Sequence, residues 1–418
     1  MDSILINGGK KLKGKVAVSG SKNAALPELF ASILTDDKII LENLPRLNDT
    51  LDSVSLLERF GKRVKWDKRS CAITPGDLTG GEIPYDLVRR MRASILMAGP
   101  VLARYKKVRI SLPGGCAIGA RPVDIHLEGF KKMGAAVDLK GGYVEMSARR
   151  LRGARIRLRY PSVGATENLV MAATLADGIT VLENAAREPE IGDLCAMLSS
   201  MGADISGAAS GRIKIRGVRR LGGVRHRVIP DRIEAATYLA AAAITGGDVT
   251  AQGADPSHLA AFLKKLSAAG VKISTGADFI RAAAGKRHLK PVDVKTAVYP
   301  GFPTDLQAQW MALMSAARGS SRISETVFEN RFLHVAELSR LGAALNIAGN
   351  TVRITGVEGL SGAPVMASDL RAGAALVLAG LAAKGLTRIL RVYHLDRGYE
   401  NLVGKLRLLG ARVKRVHA

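Results

Sequence analysis

One hydrophobic pattern recurs six times along the chain. It reads as an amphipathic helix, then an apolar residue followed by glycine, then a short strand. The copies are Phe60-Gly61, Met133-Gly134, Met201-Gly202, Ala269-Gly270, Leu341-Gly342 and Leu409-Gly410, with the glycines 73, 68, 68, 72 and 68 residues apart. An apolar residue stands three places past each glycine: Val64, Val137, Ile205, Ile273, Leu345 and Val413. A helix that ends in a left-handed residue favours glycine there, so each pair marks a helix C-terminus. A fixed period of this length signals a repeat-built architecture.

A second helix is expected in each repeat, beginning near Ser21, Arg92, Thr166, Arg232, Asp305 and Asp369. These segments are rich in Ala and Leu on nearly every side, as in RIEAATYLAAAAI and DLRAGAALVLAGLAA. Helices without a polar face are buried. Each leads through a polar or glycine break into a strand, such as Lys38–Glu42 or Ile179–Glu183. Each repeat therefore reads helix, strand, helix, strand and one further strand. Six repeats, three per domain, give an α/β protein of two lobes, and junctions between domains are common ligand sites.

Polar residues gather at the starts of the buried helices: Lys22 and Asn23, Arg92, Ser162 to Thr166, Asp231, Asp305, and Asp369 with Arg371. Ser, Thr and Asp at such places usually cap the helix. Helix starts also attract anions, because their N–H groups are unpaired and the helix dipole is positive there. Both uses are open for any one residue.

Charge adds to this picture. Lys and Arg number 62 against 37 Asp and Glu, a net +25, and no single basic tail accounts for it. Such a field attracts phosphorylated metabolites, nucleic acid or an acidic membrane. With two Trp, eight Tyr and eight Phe in 418 residues, aromatic stacking platforms for single strands are unexpected. Arg155, Arg157 and Arg159 are expected on one solvated face of a strand. The longest apolar run, Ala372–Ala383, is 12 residues and too short to span a bilayer. Three cysteines without a CxxC pair, and no signal-peptide pattern at the start, point to a reducing cytoplasmic compartment. Cys71 and Cys195 lie in apolar contexts and read as inert.

Leu112–Ile125, LPGGCAIGARPVDI, is the most unusual stretch. Its glycines and prolines predict a loop with Cys116 at its centre and Arg121 nearby. A free cysteine is commonly a small buried hydrophobe, whereas a neighbouring arginine favours thiolate chemistry. Composition leaves both open.

The segments SGSKNAALP (Ser19–Pro27), LPGGCAIGARPVDIH (Leu112–His126), SVGAT (Ser162–Thr166), ENAAREPEI (Glu183–Ile191), FPTDLQAQ (Phe302–Gln309), TVFENRF (Thr326–Phe332), ASDLRA (Ala367–Ala372) and YHLDRGYE (Tyr393–Glu400) together resemble one family over the whole chain. It is the UDP-N-acetylglucosamine 1-carboxyvinyltransferase family, the enolpyruvyl transferases that start peptidoglycan precursor synthesis. The resemblance implies a two-domain inside-out α/β barrel of six βαβαβ-type repeats. Residues 22–229 would form the domain carrying the cysteine loop, and residues 1–21 plus 230–418 the other, with the active site in the cleft between them. It implies transfer of the enolpyruvyl group of phosphoenolpyruvate to the 3′-hydroxyl of UDP-N-acetylglucosamine, with release of phosphate and no cofactor or metal.

The resemblance also assigns roles. Cys116 would act as acid and nucleophile, and Asp305 would receive the hydroxyl proton. Lys22, Arg121 and Arg397, with Asn23, would hold phosphoenolpyruvate. Arg92, Arg121, Pro122, Val123, Asp124, Ile125, Ser162, Val163, Gly164, Asp305 and Val327 would contact the UDP-sugar. Asp231, Asp369 and Arg371 would orient the others. The seven histidines match no metal spacing. The family often places Lys two residues before SVG. Here Tyr160-Pro161 precede Ser162, and the basic residue is displaced to Arg159.

A sister enolpyruvyl transferase acting on shikimate-3-phosphate is the first rival reading, and the cysteine loop argues against it. A nucleic-acid-binding repeat protein is the second; scarce aromatics and no reading motif argue against that. The expected partners are the two small-molecule substrates, UDP-N-acetylglucosamine and phosphoenolpyruvate, and not nucleic acid. No membrane span is expected, a monomer is favoured, and sensitivity to the epoxide fosfomycin should carry over from the family.

Overall fold

In the computed structural model, which describes residues 2–76, 82–83, 92–111, 123–285 and 288–417, the segments without a polar face form the interior. The chain divides into two compact units. One comprises Gly20–Gly115 and Ala120–Ile229, the other Met1–Ser19 and Pro230–Ala418. Each has its own hydrophobic core.

The helices expected to be buried are buried. Arg232–Ile244 is buried along its whole length, as is Gln307–Ser315, and Leu370–Ala382 nearly so. These three pack on one another inside the second unit. Lys22–Ala31, Ala98–Tyr105 and Val163–Ala173 line the core of the first. Two of the six begin later than expected, because a 3-10 turn precedes the α-helix: Arg92–Met97 before Ala98, and Thr304–Leu306 before Gln307.

The amphipathic helices are Asn48–Arg59, Asp124–Lys132, Pro189–Ser200, Ala260–Ala268, His334–Arg340 and Leu402–Leu408. All six glycines that follow them have φ between +88° and +100°, a region open to glycine at little cost.

Among the described residues, each repeat contributes to a four-stranded sheet, one strand more than the pattern predicts. The extra strand runs parallel to the strand that follows the buried helix. Arg155–Arg157 beside Ile179–Glu183 and Pro364–Met366 beside Leu386–Leu390 are examples. Such strands are two to five residues long, and Arg155–Arg157 buries only Ile156, so they carry almost no periodic signal. This corrects the expectation for the arginines: Arg155 and Arg157 share the strand, but Arg159 lies beyond its end.

The chain crosses between units at places that leave two sheets to be completed from afar. Ser3–Asn7 fills the sheet of the last repeat, between Leu386–Leu390 and Arg412–Val416. Val224–Arg227 returns to pair in parallel with Ile39–Glu42, the first strand after Lys22–Ala31. Among the described residues no helix is long and apolar enough to cross a membrane.

Candidate active site

In the second unit, Asp305 sits in the turn just before Gln307–Ser315. Its Oδ2 accepts from Arg371 Nη2 at 2.9 Å, and its Oδ1 from Arg331 Nη2 at 2.7 Å. Both guanidinium side chains are nearly buried, while Asp305 keeps 28% of its side-chain surface open. Burial alone would raise its carboxyl pKa. The charges and hydrogen bonds of Arg371 and Arg331 outweigh that and hold it well below the usual carboxylate range.

Arg371 comes to this place through its helix start. Asp369 caps Leu370–Ala382, its Oδ1 accepting from the Arg371 N–H at 2.9 Å and the Ala372 N–H at 3.0 Å. Asp231 caps Arg232–Ile244 in the same way, through the Ile233 and Glu234 N–H groups at 2.8 and 3.0 Å. The capping use left open by the sequence is therefore realised at both aspartates.

Arg331 was not singled out, although it lies within TVFENRF. Its Nη1 donates to Thr304 Oγ1 at 2.8 Å. Thr304 donates in turn to Glu325 Oε2, also at 2.8 Å. Glu325 Oε1 accepts from the Val327 N–H at 2.8 Å, the Phe328 N–H at 3.2 Å and Thr296 Oγ1 at 2.8 Å. One buried carboxylate thus ties the loop of Val327 to the turn of Asp305. Its signal in sequence was only the acidic residue preceding that motif. Arg397 ends the turn Val392–Arg397, where its charge and, more strongly, burial lower the pKa of His394.

In the first unit, Ser21 caps Lys22–Ala31 through the Ala24 N–H. The Lys22 ammonium donates to Asp49 Oδ2 at 3.1 Å, with Asp49 nearly buried. Asn23 follows Lys22 in the first turn. Ser162 caps Val163–Ala173, putting Val163 and Gly164 in its first turn. Val123, Asp124 and Ile125 form the start of Asp124–Lys132. The two helix starts pack together, since a Cβ on Gly164 would stand 3.4 Å from the His126 ring. Asn168 fastens the arrangement: its side chain meets His126 Nδ1 at 3.0 Å, donates to the Ile95 carbonyl at 2.8 Å and accepts from the Gly99 N–H at 2.7 Å. Neither His126 nor Asn168 was singled out beforehand.

Arg159 pairs with Asp124 and donates to Glu128 Oε1 at 3.2 Å. Burial is the largest single influence on the Asp124 carboxyl and raises its pKa, but the hydrogen bonds and charge of Arg159, with the Ile125 N–H, together bring it below the usual value. Arg92 opens its 3-10 turn, and its side chain lies outside the described residues. Cys116, Arg121 and Pro122 lie outside them as well. Cys71 and Cys195 are buried, which pushes both thiols up to about 12.

A family model described as EPSP synthase (3-phosphoshikimate 1-carboxyvinyltransferase) matches residues 6–406. A UDP-N-acetylglucosamine 1-carboxyvinyltransferase from Endomicrobium trichonymphae is 56% identical over 418 residues, all of both chains. One from Desulfatibacillum aliphaticivorans is 54% identical over 416 residues, again with both chains covered in full. The chain belongs to the UDP-N-acetylglucosamine 1-carboxyvinyltransferase family. It is a carboxyvinyl, or enolpyruvyl, transferase. Its fold is the enolpyruvyl transferase fold. The crystal structure of the enolpyruvyl transferase NikO from Streptomyces tendae is similar at TM-score 0.90 and 27% identity, covering 100% of this chain and 99% of that one. An EPSP synthase from Acinetobacter baumannii shares the fold at TM-score 0.77 and 18% identity, with both chains fully covered.

Proposed function

We propose that this chain transfers the enolpyruvyl group of phosphoenolpyruvate to the 3′-hydroxyl of UDP-N-acetylglucosamine in the first committed step of peptidoglycan precursor synthesis. End-to-end identity above one half with relatives of that name carries the reading. The hydroxyl oxygen forms a bond to C2 of phosphoenolpyruvate while C3 takes a proton. The tetrahedral adduct then loses a C3 proton and expels phosphate, leaving the enolpyruvyl ether.

Cys116 supplies the proton to C3, since an unperturbed thiol is mostly protonated near neutral pH. It can also attack C2 and hold a covalent adduct. Asp305 receives the hydroxyl proton. Between two arginines it is ionised at any working pH, which makes it a weak base. The hydroxyl must therefore acidify as its C–O bond forms, and placement of the carboxylate matters more than its basicity.

Lys22, Asn23, Arg121 and Arg397 hold phosphoenolpyruvate, with the cations favouring the charge that develops on the leaving phosphate. Arg92, Arg121 to Ile125, Ser162 to Gly164 and Val327 receive the UDP-sugar, and Asp231, Asp369 and Arg371 orient the reacting groups. The reaction takes place in the cytoplasm, serves cell-wall growth and division, and is blocked by fosfomycin at Cys116.

A phosphate-release assay with the two substrates tests the reading. Release that requires UDP-N-acetylglucosamine is expected. Release with shikimate-3-phosphate in its place would transfer the chain to the sister activity.

A further inference from the structure

Glu28, Asp193 and His226 are far apart in sequence and meet inside the first unit. Glu28 comes from Lys22–Ala31, Asp193 from Pro189–Ser200, and His226 from the returning strand Val224–Arg227. His226 Nε2 stands 3.0 Å from Asp193 Oδ1 and 3.5 Å from Glu28 Oε1, and the three donor atoms all lie within 4.8 Å of one another. Glu28 is fully buried, and neither of its carboxylate oxygens has a hydrogen-bond partner.

That last fact calls for an occupant. A buried carboxylate without a donor is costly. Its neighbourhood makes matters worse, because Asp193 is also largely buried and faces it with charge of the same sign. Unless a proton rests on Glu28, whose carboxyl is pushed well above its usual range by burial and by Asp193, an imidazolium at His226 leaves Glu28 and Asp193 with one uncompensated negative charge. A divalent cation bound to two carboxylates and a neutral imidazole leaves none. Geometry agrees: in a tetrahedral shell with metal–ligand distances of about 2.0–2.2 Å, neighbouring donors lie roughly 3.3–3.6 Å apart. One imidazole nitrogen with two carboxylate oxygens is a donor set that zinc accepts among the divalent ions, with a water needed to complete the fourth position.

We propose that Glu28, Asp193 and His226 form a structural zinc site that clips the returning strand Val224–Arg227 to two helices of the first unit. Asp193 extends the clip, because its second oxygen accepts from the Ile229 N–H at 3.0 Å, at the last residue of that unit. Zinc closes the three donors onto one centre and lends the fold its binding energy.

The test uses full-length protein stripped of metal and titrated with Zn2+ against a chromophoric chelator, beside Glu28→Leu and His226→Phe. Replacing a buried unpaired carboxylate by an apolar side chain of similar volume is commonly tolerated, so Glu28→Leu should fold. One zinc per chain is expected in the parent, weakened by more than about tenfold in both variants. The thermal midpoint should rise with Zn2+ in the parent and stay fixed in Glu28→Leu. Co2+ in place of zinc should give visible bands without thiolate-to-cobalt absorption. A parent that binds no zinc overturns the proposal and leaves a shared proton as the occupant. Equal binding by all three proteins, or a thiolate band with Co2+, places the metal elsewhere and overturns it too.

Discussion

Arg331 donates to Asp305 at 2.7 Å from a side chain that is 5% exposed, so the candidate base is gripped by a cation that is itself locked in place. Arg331→Met should leave Asp305 with Arg371 alone. Its carboxyl pKa then rises, and the acid limb of the rate profile moves toward neutral pH. With placement also loosened, kcat should fall by roughly 100-fold, the scale of losing one well-placed charged contact. Phosphate release measured from pH 5 to 9 checks both effects. An acid limb that does not move would remove Asp305 from the proton-transfer step.

The buried thiols give a second expectation. Burial pushes Cys71 and Cys195 up to about 12, so neither offers appreciable thiolate at neutral pH. Fosfomycin should add one equivalent of mass, mapped to Cys116. Cys116→Ala should take up none and lose turnover while keeping its circular dichroism. Mass on Cys71 or Cys195 would contradict the role given to the loop.

The six-fold pattern was legible because each copy pairs a strong periodic signal with a glycine that the backbone demands. Four of the six buried-helix starts were legible from the polar residues gathered there, whereas the capping use of Asp231 and Asp369 was one of two left open and is decided by the hydrogen bonds they accept. Arg331, Glu325 and Asn168 were not. Each acts through a partner 20 or more residues away, such as Thr304, Asp305 or His126, and no local pattern encodes such a meeting. The fourth strand of each sheet escaped notice because strands such as Glu82–Ile83 and Val294–Lys295 are too short to show alternation.

Arg159 stands where the departure from the family pattern lies, and it is paired with Asp124 and Glu128. Its guanidinium orients the start of Asp124–Lys132 from an exposed position. Arg159→Ala should therefore raise KM for the UDP-sugar by roughly three- to tenfold and leave kcat unchanged, the pattern of lost uniform binding. Stability should change by less than about 1 kcal/mol, as for exposed ion pairs. A fall in kcat with KM unchanged would show that Arg159 acts in the chemical step instead.

His334 is buried, and its Nε2 has no hydrogen-bond partner. Burial lowers its pKa to about 4, with the charge of Arg331 adding to the effect and Asp369 opposing it. The unfolded chain binds this proton near pH 6.5, the native chain only near 4. Between those values the unfolded state carries more protons, so stability rises with pH and is lost as pH falls from 6.5 toward 4. The whole effect is worth roughly 3 kcal/mol. Urea midpoints should drop less between pH 7 and 5 in His334→Gln than in the parent. Parallel drops would assign the acid sensitivity to other groups.

Two helical glycines separate packing from propensity. Gly192 lies in Pro189–Ser200, and a Cβ there would meet nothing within 4 Å. Alanine at this place loses no contact and restricts the unfolded chain, so Gly192→Ala should stabilise by about 0.5–1 kcal/mol. Gly129 lies in Asp124–Lys132, where a Cβ would stand 2.5 Å from Leu169 Cδ1. Leu169 is fully buried on Val163–Ala173, so it cannot yield without disturbing the core. Gly129→Ala gains the same helix propensity but must push the two helices apart, at a cost of about 1–3 kcal/mol. That displacement would also shift Asp124 and Ile125 relative to Ser162, so Gly129→Ala should raise KM for the UDP-sugar, whereas Gly192→Ala should not. Thermal midpoints moving in opposite directions, with KM altered only by the destabilising change, is the expected result. A stabilised Gly129→Ala would mean that the close approach of these two helices is not what fixes the start of Asp124–Lys132.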